Sequence, residues 1–289
     1  MQIGCILVAL GREGDQRPTL MRAVTFARRF KARIELFLCE AERAYALEHQ
    51  FDADSSEVVR QTGLVRMHAA IEQLWKSLDV NDVPISMEAV YETPLCEAVR
   101  RKVERSRPDL VIRGIGTRRH RTFSVADSDL VRSCPAPLLL THGRPWPAKP
   151  TVAAAVDISG DESPDLIRTV LLAADGVAER CGASLELLYA SPFEKALPEA
   201  SRSAERELAR RAAAAQIHPA QMHILNGDPP TAIPEFAGRR GYEILVLGAL
   251  THRKAMTALV GTLTGRLIET LDCDLLLVRS PGAPVVTAH

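Results

Sequence analysis

Ile6-Leu7-Val8-Ala9-Leu10-Gly11, with Pro18 and Leu20 beyond it, returns as Val152-Ala153-Ala154-Ala155-Val156-Asp157, with Pro164 and Leu166 beyond it, at a constant offset of 146. Two further landmarks follow in the same order. Ala27, Ala32, Ile34, Glu35 and Leu36 answer to Ala178, Ala183, Leu185, Glu186 and Leu187 at an offset of 151. Asp109-Leu110-Val111-Ile112-Arg113-Gly114 answers to Glu243-Ile244-Leu245-Val246-Leu247-Gly248 at 134, and Cys134 with its Leu-rich tail matches Cys273 at 139. Spacing that drifts only between landmarks is what loop insertion and deletion do to a duplicated unit. The chain therefore reads as two copies of one domain, residues 1–143 and 151–281, with a tail at 282–289. Between the copies, Arg144-Pro145-Trp146-Pro147-Ala148-Lys149-Pro150 holds three prolines, which neither extend a helix nor donate to a central ladder, so residues 144–150 read as a linker.

Within each copy short apolar runs alternate with helix-like stretches. Strands are expected at about 3–9, 33–39, 84–90, 109–113 and 137–141, then at 151–156, 184–190, 221–225, 243–247 and 274–278. The runs are nearly continuous Val, Ile, Leu and Ala, the pattern of parallel strands covered on both faces. Ser55 to Asp79 is an expected helix, with Val58, Val59, Leu64, Val65, Met67, Ala69, Ile71 and Leu74 on a broad face, and Ser201 to Gln216 is a second, rich in Ala, Arg and Glu. Strand–helix alternation with right-handed crossovers gives two doubly wound α/β domains with five-stranded parallel sheets. The ligand cleft of such a sheet lies at the carboxyl ends of its strands beside the switch point, so the loops after the first and fourth strands are the ones to read for function.

Bulk composition narrows the function classes. Thirty-six basic residues balance 36 acidic ones, leaving no global field to hold nucleic acid or an anionic membrane. The cysteines, Cys5, Cys39, Cys96, Cys134, Cys181 and Cys273, are scattered without a Cys-x-x-Cys pair and read as buried thiols. No stretch approaches the ~20 apolar residues of a membrane span, and no signal peptide is evident. A cytoplasmic protein is the expectation.

The chemistry-bearing stretch is the end of the second copy's fourth strand, Gly248-Ala249-Leu250-Thr251-His252-Arg253-Lys254, which runs through an apolar segment to Gly261-Thr262 at the start of the last helix. With Val156-Asp157 after the first strand and the Cys273-Asp274-Leu275-Leu276-Leu277-Val278 ending, this resembles the universal stress protein family in its tandem two-domain form. The resemblance implies an adenine nucleotide alpha hydrolase-like fold with strand order 3-2-1-4-5. It also implies a nucleotide loop of the form Gly-x2-Gly-x9-Gly-Ser/Thr, with an Asp on the adenine side. Asp157, Gly248, Gly261 and Thr262 match that pattern, while Thr251 stands at the second glycine. Glycines let backbone N–H groups approach phosphate oxygens, and a Gly-Thr at a helix start adds free donors, a hydroxyl and the positive end of the helix dipole. A threonine among them introduces strain of roughly 1–2 kcal/mol where φ must be positive, and loses a charge-assisted hydrogen bond of ~1.5–3 kcal/mol. At ~1.4 kcal/mol per tenfold, the second copy is expected to bind ATP weakly.

The first copy is further from a site. Gly11 stands where Asp157 would be, the loop Gly114-Ile115-Gly116-Thr117-Arg118-Arg119-His120-Arg121 is shortened, and Thr122-Phe123 fall where Gly261-Thr262 lie. Its basic run reads as a solvated surface loop. Ser159-Gly160-Asp161-Glu162-Ser163 is similar to the pyrophosphate loop of adenylating enzymes but lacks its second glycine, so Ser163 is read as the N-cap of a helix begun by Pro164. His218 and His223 lie across Pro219 and do not read as a metal pair.

The resemblance further implies a stress-response protein that works by binding or through protein partners, as a regulatory or adaptor protein and not a dedicated enzyme. The alternative is an ATP-binding protein with slow hydrolysis or phosphotransfer. The duplication also lets two similar halves share one pseudo-twofold interface, so a pseudo-dimeric chain is expected, with a homodimer as a further assembly.

Overall fold

In a computed structural model of the chain, the described residues are all but 12–14, 41–52, 118–119, 122–123, 161, 192–197, 250–266, 269, 272 and 281–289. They form two compact units, one carried chiefly by residues 2–116 and 120–143, the other chiefly by residues 144–280.

The first unit runs β1 (Cys5–Leu10), α1 (Arg17–Phe30), β2 (Arg33–Cys39), α2 (Ala53–Lys76), β3 (Ile85–Val90), α3 (Leu95–Ser106), β4 (Leu110–Gly114), the two-residue strands β5 (Gly116–Thr117) and β6 (His120–Arg121), α4 (Val125–Ser133) and β7 (Leu138–Thr141). Its parallel strands stand in the order β3-β2-β1-β4-β7, which is 3-2-1-4-5 in the unit's own count. Val8 of β1 is flanked by Leu36 on one side and Ile112 on the other. All six residues of β1 are buried, as a strand covered on both faces requires. Helix α1 packs on β1, β2 and β4 with Leu20, Ala23, Val24 and Ala27 inside.

The second unit repeats the plan with β8 (Thr151–Ala155), α5 (Pro164–Cys181), β9 (Ser184–Ser191), α6 (Pro198–Ala214), β10 (Gln221–Asn226), α7 (Pro229–Arg240), β11 (Ile244–Gly248) and β12 (Asp274–Val278). Its strand order, β10-β9-β8-β11-β12, is again 3-2-1-4-5. Ala154 sits between Leu187 and Val246, as Val8 sits between Leu36 and Ile112.

The sequence landmarks turn out to be structural joints. Ala32 N–H donates to Ala27 O at 2.9 Å and Ala183 N–H to Ala178 O at 2.8 Å, closing the same helix C-cap in both copies. That cap requires a left-handed residue, which is Gly182 (φ +62°) in the second copy and Lys31 (φ 57°) in the first. The acid at the head of the fourth-strand landmark ties down the start of the first strand. Asp109 Oδ2 accepts from the N–H groups of Gly4 at 2.8 Å and Cys5 at 3.0 Å, and Glu243 Oε2 accepts from Thr151 N–H at 2.6 Å. The bonds to Gly4 and Cys5 mark where the first strand opens, so its pairing begins at Cys5 and not at residue 3.

One expectation is corrected. The apolar residues of α2 do not share one face: Val58, Val59 and Val65 are exposed, whereas Met67, Ile71 and Trp75 are buried. At 100° per residue the set named from sequence wraps most of the helix, and the buried stripe is the i, i+4, i+8 line from Met67 to Trp75. Gly63 opens that line, and a Cβ there would collide with Tyr91 Oη.

Candidate functional site

The carboxyl ends of β8, β9 and β11 and the start of α7 enclose a cavity of about 200 Å³ in the second unit. Its walls are apolar, from Ala155, Val156, Ala190, Ile233 and Leu247, and its polar groups come from Asp157, Glu162 and Tyr189. Each is placed by the chain's local chemistry. Beyond β8 the backbone turns through Asp157, whose Oδ1 accepts from Ser159 N–H at 2.8 Å, an Asx turn that bends the loop back. The loop ends at Ser163, whose Oγ accepts from Leu166 N–H at 3.1 Å and caps α5 with Pro164 at its first position, as expected from sequence. Between them Glu162 folds over the strand ends, its Oε2 accepting from Asp157 N–H at 3.2 Å.

Gly248 closes β11 beneath that carboxylate. A Cβ at this position would stand 2.8 Å from Leu166 Cδ2 and 3.0 Å from Glu162 Oε1, so a side chain here would push both aside. Tyr189 at the end of β9 has its phenol pKa raised, first by burial and then by the negative charge of Asp157, so it stays a neutral hydroxyl.

Of the residues singled out from sequence, Asp157 and Gly248 meet in this cleft. Gly261, Thr262 and Thr251 lie outside the described residues. Sequence reasoning missed Glu162 and Tyr189. Glu162 carried a signal, as an acid in the loop between the strand end and a capped helix.

The same place in the first unit is filled from within. Arg113, on β4 where the second copy has Leu247, donates through Nε to Asp127 Oδ1 at 2.7 Å and through Nη1 to Ala9 O at 3.2 Å. Asp127 is fully buried, and its Oδ2 also accepts from Ser124 N–H at 2.8 Å and Ser124 Oγ at 2.9 Å, which makes a capping box at the start of α4. The guanidinium then lies across Gly11, whose Cβ position is 2.9 Å from Arg113 Nη1. A side chain at residue 11, the counterpart of Asp157, would have to displace the guanidinium. Thr122-Phe123, Arg118 and Arg119 of the shortened loop lie outside the described residues.

The opposite ends of the sheets carry a second shared device. Glu35 on β2 lies 2.8 Å from Lys102 Nζ and 3.1 Å from Arg33 Nη2, and accepts from Cys5 Sγ at 3.4 Å. Burial would raise its pKa, but the hydrogen bonds from Lys102 and Arg33 outweigh it and hold the carboxyl at about 2. Burial first, and then Glu35 itself, pushes the Cys5 thiol up to about 11. The counterpart Glu186 accepts from Tyr242 Oη at 2.7 Å, lies 2.9 Å from His223 Nε2, and pairs with Arg240. His223 is thus spoken for by a carboxylate. All six cysteines are buried thiols. Among the described residues no helix is long and apolar enough to cross a membrane.

Comparison with known proteins adds the following. The sequence model of the universal stress protein family matches residues 150–279. Universal stress protein E of Escherichia coli K12 is 25% identical over 295 aligned residues, covering 95% of this chain and 93% of that protein. Its Haemophilus influenzae homolog is 25% identical over 305, covering 96% and 98%. Among solved structures, a universal stress protein from Pseudomonas aeruginosa UCBPP-PA14 superposes with a TM-score of 0.71 at 22% identity, covering 96% of this chain and 93% of that one. One from Archaeoglobus fulgidus superposes with 0.68 at 13% identity, covering 97% and 98%.

Proposed function

We propose, from the family-model match over residues 150–279 and the alignment of nearly the whole chain with universal stress protein E, that the chain is a tandem two-domain universal stress protein, a cytoplasmic regulatory or adaptor protein of the stress response whose second copy senses an adenine nucleotide. Residues 151–281 form the ligand domain, residues 1–143 the partner-facing domain, 144–150 the linker and 282–289 a tail. The ligand set is Asp157 and Gly248 with Gly261 and Thr262, and ATP binds weakly because Thr251 interrupts the loop. The observation that carries this reading is the contrast between the copies. One has a cavity at the strand ends, with Asp157 and Gly248 on its wall. The other has a buried ion pair, Arg113–Asp127, at the same place. The first copy then contributes surface and stability and leaves ligand binding to the second. The duplication supports the pseudo-dimeric chain, with a homodimer as its further assembly.

Equilibrium titration of the full chain with ATP tests the site, with Asp157→Ala and Gly261→Val as controls. Saturation that weakens at least tenfold in both variants is expected. Saturation that is absent, or unchanged in both variants, refutes it. Denaturing freshly purified protein and identifying released nucleotide by absorbance and mass reads the same site without added ligand. Steady release of phosphate from ATP, lost in Asp157→Ala, would move the reading to slow hydrolysis.

A further inference from the structure

We propose that Glu162 decides which ligand the second copy's cleft accepts, by occupying the place a phosphate group would take, so that the cleft takes an uncharged nucleoside in preference to its phosphorylated forms. The inference rests on the reading of this cleft as an adenine-ligand site.

Glu162 bridges two strand ends. Its Oε2 holds the N–H of Asp157 at 3.2 Å, and its Oε1 lies 3.0 Å from the Cβ position of Gly248. In a doubly wound sheet these ends are where a ligand meets backbone donors and helix N-termini, the groups that attract an oxyanion. Here an oxyanion is already present, supplied by the chain. A phosphate that approaches Gly248, the first glycine of the loop, meets the Glu162 carboxylate at close range and must expel it, exchanging one anion for another against like charge. An uncharged ligand has no such exchange to make. It meets the other walls, Ala155, Ala190, Ile233 and Leu247, which suit a flat apolar ring, with Asp157 and the Tyr189 hydroxyl as its polar contacts.

The first copy offers a contrast. There a carboxylate of the chain, Asp127, takes the Ser124 N–H at the start of α4, and Arg113 neutralises and locks it. The two carboxylates sit on different donors, one on a helix and one on a loop. Glu162 is partly exposed and Asp127 is fully buried, so the second carboxylate is the one a ligand can move.

Calorimetric titration of the full chain with adenosine and with ATP, for the wild type, Glu162→Ala and Glu162→Gln, tests the inference. The wild type is expected to bind adenosine at least tenfold more tightly than ATP. Glu162→Ala is expected to raise ATP affinity at least tenfold. Glu162→Gln keeps size and an acceptor for Asp157 N–H, so it guards against collapse of the loop in the alanine variant, and it should raise ATP affinity by a smaller factor. ATP affinity unchanged in both variants, or ATP preferred over adenosine by the wild type, overturns the role of Glu162 and leaves the nucleotide site standing. Failure of all three proteins to bind either ligand refutes the site and this inference together.

Discussion

Replacing Asp127 by alanine should unfold the first unit at far lower denaturant, because the carboxylate does two separate jobs. It is the counter-ion of a guanidinium whose side chain is only 10% exposed. It is also the acceptor for Ser124 N–H and Oγ at the start of α4. Breaking a buried pair by deleting one partner costs ~3–5 kcal/mol, because the other charge stays buried without compensation. Loss of the capping interaction adds ~1 kcal/mol. Arg113 keeps its bond to Ala9 O at 3.2 Å, which pulls the sum toward the lower end, about 4 kcal/mol. Against the ~5–15 kcal/mol stability of a typical domain, that is a large fraction. The assay is urea unfolding followed by Trp75, buried at 7% exposure in the first unit, in a Trp146→Phe background that leaves Trp75 as the sole tryptophan. With urea slopes of ~1–3 kcal/mol per molar, the midpoint should fall by more than one molar. Arg113→Leu combined with Asp127→Asn, which removes both charges and keeps a cap, should recover much of the loss. A shift in Asp127→Ala worth less than about 1 kcal/mol, the range of exposed pairs, would show the pair to be solvated and the first cleft to be open.

Two further outcomes are expected. Glu35 titrates at about 2 in place of 4.5, so its contribution is fully present above pH 4.5 and is lost as pH falls from 4.5 toward 2. At ~1.36 kcal/mol per pKa unit this is on the order of 3 kcal/mol, and in Lys102→Met acid unfolding of the first unit, read by circular dichroism, should begin at higher pH than in the wild type. An unmoved acid transition would contradict the ion pair at 2.8 Å. Lys31→Gly should stabilise the first unit by about 1 kcal/mol, since the left-handed cap at φ 57° strains a side chain where the second copy already uses Gly182. Thermal unfolding at a raised midpoint checks it, and a lowered one would mean that Lys31 makes contacts outweighing the strain.

The fold was legible because its information is local and repeated. Arg33–Cys39 and Asp274–Val278 are strands over the spans expected, since strands buried on both faces read as unbroken apolar runs. Periodicity misled at α2, where Val58 and Val65 look like core and stand in solvent, because an apolar residue is free to be exposed and only packing partners decide. The cleft was half legible. Asp157 and Gly248, taken from the family resemblance, lie on the cleft wall, whereas Glu162 is placed there by a turn set by the Asp157 carboxylate and a cap set by Ser163. In the first copy, Ser124-x-x-Asp127 has the spacing of a capping box, and Arg113 is a charge in an otherwise apolar strand. Each is readable alone, but that the two meet is a tertiary fact.

The two clefts also differ in what a ligand can change. A ligand shifts a conformational equilibrium only by its differential affinity for the two states. Opening the first cleft means separating Arg113 from Asp127 and undoing the start of α4, a cost of several kcal/mol that a weak ligand does not supply. In the second, displacing Glu162 gives up its 3.2 Å hydrogen bond from Asp157 N–H on a loop and leaves the Ser163 cap of α5 intact. A single charge-assisted hydrogen bond is worth ~1.5–3 kcal/mol, within reach of a ligand that binds in the micromolar range. Under the proposed function, duplication lets the closed copy keep its fold independent of ligand while the other retains a carboxylate that a ligand would move. A ligand-dependent change is then expected first at Asp157 and Glu162, which one hydrogen bond couples.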